Sequence, residues 1–223
     1  MQKRFYFFSV ILLLLASAAD AQSQSKPSQS NVFSETRLRS QQTAMTVLGV
    51  WAGISLASGL ALSLQQSNTE LQYAGYQNIG WGAVNGAIAV FALVGISRDL
   101  ALVGAAGGSE QLLLLKEFSE EQTFSKILLI NTGLDVAYMT AGGLLMYAAR
   151  NGLQQGEKLY GTGAGILLQG AFLFVFDLVQ VILSGNRIGT VEAYLTPMLG
   201  NIPSIPSGSV AATTIGAMLT ISF

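Results

Sequence analysis

The chain has 223 residues, 51% hydrophobic and 10% charged, too few charges to coat an ordinary soluble surface. Its 11 basic and 12 acidic residues nearly balance, so no polycationic face is offered to nucleic acid. With no Cys and no His, disulfides, cysteine lipidation, Cys/His metal sites, Ser-His catalysis and haem ligation by His are excluded, and no cofactor is expected.

The N-terminus reads Lys3-Arg4, an apolar run over 5–16, and Ala19-Asp20-Ala21 before Gln22. A basic region, a short hydrophobic region and an A-x-A site predict a secretory signal peptide over 1–21, in a bacterial style. The alternative is an uncleaved anchor, for which ~14 apolar residues is short. Residues 22–30 are a Gln/Ser-rich polar linker that cannot bury a core. Four apolar stretches follow, at roughly 43–64, 79–103, 126–149 and 161–184, each near the ~20 residues that cross a bilayer. They predict an all-α membrane protein, a four-transmembrane-helix bundle over 31–185, with the lipid bilayer as its first partner.

Helix one is placed to start near Asn31 or Ser34. Ser67-Asn68-Thr69-Glu70 and Ser119-Glu120-Glu121-Gln122 match the capping box, so helices two and three are expected to begin there. Asn151-Gly152 reads as the C-cap of helix three, and 110–118 as a separate interfacial helix. Beyond Asn186 charges nearly vanish. Ile215, Ala217, Leu219, Ile221 and Phe223 alternate with Thr214, Gly216, Met218, Thr220 and Ser222, a period of two that predicts a strand. Residues 190–199 are its expected partner, with Pro197 confining that strand to an edge or bulge, so 186–223 is read as a short C-terminal β-hairpin.

Residues that are costly in lipid mark the working interior. Asn131 and Asp135 share one helix face, as do Asp177 and Gln180. In antiparallel helices the two aspartates fall at similar depth, giving one polar intramembrane compartment: Asn131, Asp135, Asp177, Gln180 and, at the same end, Arg98. An offset of about 84 residues lays Tyr76 on Tyr160 and Asn85-Gly86-Ala87 on Gln169-Gly170-Ala171, suggesting a two-helix repeat, 43–103 and 126–184. It predicts a second polar layer of Asn85, Gln169 and Trp81, and Trp51, Ser55 and Ser58 could face either layer. Asp135 and Asp177 either bind a cation, a proton or a polar substrate, or serve only as interhelical hydrogen-bond partners, paired with Arg98. Gly161-Thr162-Gly163-Ala164-Gly165 lacks the Lys of a phosphate loop and is expected to pack helices.

The strings Trp81-Gly82-Ala83-Val84-Asn85, Asn131 to Tyr138 (NTGLDVAY) and Gln169 to Asp177 (QGAFLFVFD) resemble the recurrent motifs of an uncharacterised bacterial family of four-helix membrane proteins. The resemblance runs from helix one to Asp177 and implies that these polar positions belong to the family's architecture. It brings no activity. Gly82 stands where a polar residue is expected.

The function expected from the sequence is an integral membrane protein of the bacterial envelope, a structural or small-solute binding component rather than an enzyme. The alternative is a small transporter or channel subunit using Asp135 and Asp177 as an ion or proton site. A third reading is an intramembrane aspartyl hydrolase, although Asp135 lacks the G-x-G-D context. The protein partner expected is a second copy or another envelope protein. A cleaved signal puts the mature N-terminus outside, which leaves Arg37, Arg39, Arg98, Lys116, Lys126 and Arg187 outside too, against the positive-inside tendency. Inner and outer membrane both stay open.

Overall fold

The computed structural model describes residues 27–105, 107–152 and 154–199. Four helices fill this span: α1 Gln29–Ser63, α2 Thr69–Ala101, α3 Glu110–Arg150 and α4 Gly156–Leu199. Each is long and apolar enough to cross a bilayer. Large apolar side chains such as Phe91, Ile130 and Val175 point outward, which is tolerable only against lipid. The predicted signal peptide and the predicted strand at 215–223 lie outside the described residues.

Helix starts are set by short polar side chains. Ser28, Asn68 and Ser109 accept from the backbone N–H groups of Asn31, Leu71 and Leu112, satisfying one orphan donor each. Asn151 ends α3, and Gly152 follows at φ +89, a left-handed conformation that glycine adopts without strain.

Helices α1 and α2 form one antiparallel hairpin and α3 and α4 another. The hairpins join mainly through α2 and α4, which run parallel, while α1 reaches α3 near their N-termini and touches α4 least.

Three expectations are corrected. Residues 190–199 are helical, not a strand, because Ile188, Val191, Leu195 and Leu199 form a helical stripe that packs on Leu114 and Phe118. Pro197 is accommodated in the last turn of α4. Helix α3 begins at Glu110 with Ser109 as cap, so 110–118 is its first two turns and the Ser119 box is internal. Helix α1 begins at Gln29, inside the expected linker, because Ser28 caps it.

With 41 and 44 residues, α3 and α4 are each over ~60 Å long at ~1.5 Å per residue, about twice the ~30 Å hydrocarbon core. The N-terminal turns of α1 and α3 and the C-terminal turns of α4 therefore extend beyond the membrane as a three-helix collar. Its apolar centre is Leu114, Phe118, Val191 and Leu195, flanked by Phe33 and Ile188.

Candidate functional site

The α3–α4 seam organises the interior. On α3 the buried residues Leu114, Glu121, Leu128, Asp135 and Gly142 recur every seven positions, and on α4 Gly163, Gly170, Asp177, Ser184 and Val191 do the same. This is the heptad spacing of left-handed antiparallel packing. A Cβ on Gly163 would lie 2.6 Å from the Gly142 carbonyl oxygen, and one on Gly170 3.3 Å from that of Asp135. Ser184 donates to Glu121 Oε1 at 2.7 Å, and Leu114 packs with Val191. The seam thus reads, from the far surface to the collar, as glycine, aspartate, aspartate beside Leu128, glutamate with serine, then apolar.

Asp135 and Asp177 occupy adjacent layers of this seam. A helical side chain leans toward its own N-terminus, so in an antiparallel pair the two carboxyls lean toward each other. They come within hydrogen-bonding reach. Glycine at 170 leaves room for the Met139 side chain and the Asp135 carbonyl oxygen. Both residues are buried, and Asp135 Oδ2 has no hydrogen-bond partner among the described residues.

The amide layer is built differently. Gln169, fully buried, donates both amide hydrogens, to Ser55 Oγ and Asn78 Oδ1 at 3.0 Å each, and accepts from Trp51 Nε1 at 2.8 Å. Asn78 donates in turn to Ser58 Oγ at 3.5 Å. Three helices are tied by one satisfied network, and Trp51 also stacks on Phe172 at 4.0 Å between centroids.

Gln169 faces Asn78, where the sequence offset of 84 pairs it with Asn85. Backbone contact of Gly161 with the Glu70 carbonyl and of Gly165 with Gln77 fixes this register. Glycine at both positions lets α4 seat about two turns nearer the N-terminus of α2 than side-chain likeness suggests. One heptad on from the Asn78–Gln169 pair, the same register puts Asn85 level with residues 176–177. Asn85 is buried and its Nδ2 has no partner among the described residues.

The remaining expected residues are placed as follows. Gln180 is buried one turn beyond Asp177. Asn131 is half-buried one turn before Asp135, and Trp81 packs edge-to-face on Tyr138 at 5.1 Å, joining α2 to α3. Arg98 is exposed in the last turn of α2 and makes no ion pair among the described residues.

The collar holds charges that the sequence reading did not pair. Glu121, 2% exposed, receives Arg187 at 2.7 and 2.9 Å, and the same guanidinium donates to Ser40 Oγ at 2.8 Å. Arg37 bonds Glu117 at 2.9 Å and Glu120 at 3.0 Å, while Ser34 donates to Glu117. Burial pulls the Arg37 pKa down, but its hydrogen bond to Glu117 and the charges of Glu117, Glu120 and Glu121 outweigh that and push it up. The seven-residue recurrence from Leu114 to Gly142 was the sequence signal that could have found this layer.

A model of a family of unknown function, DUF6992, matches residues 47–178, more than half of the chain. The chain belongs to this family. No curated protein and no solved structure matches it. The DUF6992 match contains the Gln169 network, both aspartates, Glu117 and Glu121, whereas Arg37 and Arg187 fall outside it.

Proposed function

We propose that this DUF6992 protein is an integral protein of the bacterial envelope whose membrane interior binds a small solute, the proton, at Asp135 and Asp177. The observation that carries this is the contrast between two neighbouring polar layers. The amide layer closes on itself, with Gln169 bonded on both sides, as a purely structural layer should. The carboxyl layer leaves Asp135 Oδ2 and, at a similar level, Asn85 Nδ2 buried and without hydrogen-bond partners among the described residues, a costly arrangement in lipid unless something else is held there. Two facing carboxyls in a low-dielectric interior cannot both be charged cheaply, and one proton between them relieves the repulsion.

A scaffold is the second reading, favoured by the satisfied amide layer and the ion-paired collar. A pH jump applied to the reconstituted protein on a solid-supported membrane separates the two. Wild type is expected to give a charge-displacement current that Asp135→Asn and Asp177→Asn each lack. Equal currents in all three proteins would assign the protein to the scaffold class.

Placement in a bacterial envelope rests on the signal peptide at 1–21. Mass spectrometry of purified protein should find a mature N-terminus near Gln22, and a dominant intact Met1 end would contradict export by a cleaved signal.

A further inference from the structure

We propose that the aspartate pair exchanges its proton with the collar-side surface through Glu121, Ser184 and Gln180, with Leu128 as the apolar plug beside this path. The inference deepens the proton-binding reading and rests on it, adding an entry route and a second carboxylate.

Along α4, Asp177, Gln180 and Ser184 are all at least nine-tenths buried, and Arg187 follows one turn on. The intervals of three and four residues keep these side chains on one face, with rises of about 4.5–6 Å between them. A buried polar stripe running from a membrane surface to an intramembrane carboxyl is expensive and needs a reason. At its outer end the Ser184 hydroxyl touches the Glu121 carboxylate at 2.7 Å. The charged groups around Glu121 are Arg187 from α4, Arg37 from α1, and Glu117 and Glu120 from its own helix. On α3 the only seam residue between Glu121 and Asp135 is Leu128, 4% exposed. A proton must therefore pass on the α4 side.

A groove of about 410 Å³ opens between α1 and α4; its lining is mostly apolar, with Val47, Phe172, Phe176 and Leu183 beside the polar Ser40, Thr43 and Gln180. Ser40 is also the hydroxyl bonded by Arg187, so the groove joins the collar ion pair to the residue one turn from Asp177. In the transfer, surface water gives a proton to the Glu121 carboxylate. The Ser184 hydroxyl accepts it and releases its own proton to water held at Gln180, which passes one proton to Asp177. One proton enters, one arrives, and each relay group ends as it began.

The test is the rate at which the Asp135–Asp177 carboxyl infrared band shifts after a rapid change from H2O to D2O, measured on full-length protein in bilayers. Gln180→Leu and Glu121→Gln are each expected to keep the band and slow its shift at least tenfold, whereas Leu128→Ala speeds it. Glu121→Gln weakens the pairing of Arg187. If it does not fold, Ser184→Ala, which leaves the Glu121–Arg187 contact intact, takes its place. An unchanged rate in either folded variant overturns the path while leaving the proton site standing. A wild type with no such band overturns both. A Glu121 that only staples α3 to α4 would change the melting temperature and not the exchange rate.

Discussion

At single residues, the seam glycines and the aspartates do opposite things with the same scarce interior space. Gly163 has no room for a Cβ, which would meet the Gly142 carbonyl oxygen at 2.6 Å and Met146 Cγ at 2.9 Å. Gly163→Val should therefore cost about 1–3 kcal/mol or more through overpacking. Gly133→Ala, where nothing lies within 4 Å, should be neutral or slightly stabilising, since alanine is the better helix former. Thermal unfolding in detergent compares the two. The polar residues were legible in the sequence as exceptions within apolar stretches, which is why Asp135, Asp177 and Gln169 stood out. What they bond to was not. Asn85 and Asn78 are equivalent by composition, and only the close approach of α4 to α2 at Gly161 and Gly165 selects Asn78 for Gln169.

At the level of elements, hydropathy located all four spans and Asn151 marked the end of α3, but the start of α3 and the end of α4 were misplaced. The capping box at Ser119 is a local signal, and it is overridden because Leu114 and Phe118 ahead of it pack on Val191 and Leu195 as part of the same helix. In residues 190–199 Thr190, Val191, Tyr194 and Thr196 suit a strand and Pro197 argues against a helix. They become helical because Val191 and Leu195 find Leu114 and Phe118 across the seam. The collar should thus depend on its buried ion pairs. Arg187→Ala strands Glu121, 2% exposed, and is expected to cost about 3–5 kcal/mol. Arg39→Ala breaks only the exposed pair with Glu35 and should cost about 0–1 kcal/mol. Chemical denaturation of the two variants in one detergent checks the ratio.

At the scale of the whole molecule, the described residues form two antiparallel hairpins joined by a parallel α2–α4 face, with a satisfied amide layer beside a carboxyl pair. The chain has no cysteine, so engineered pairs report this directly. Asn78→Cys with Gln169→Cys should cross-link with a short reagent, and Asn85→Cys with Gln169→Cys should not; the reverse result would shift α4 by one heptad and move Asn85 away from the aspartates. Asp135 and Asp177 are proposed to hold one proton together in the membrane interior. Infrared spectroscopy of the carboxyl region at neutral pH addresses it without any assumption about a substrate. Wild type should show a protonated-carboxyl band that is altered by both Asp135→Asn and Asp177→Asn and absent from the double variant. Two ionised groups that titrate independently, with no such band, would contradict it.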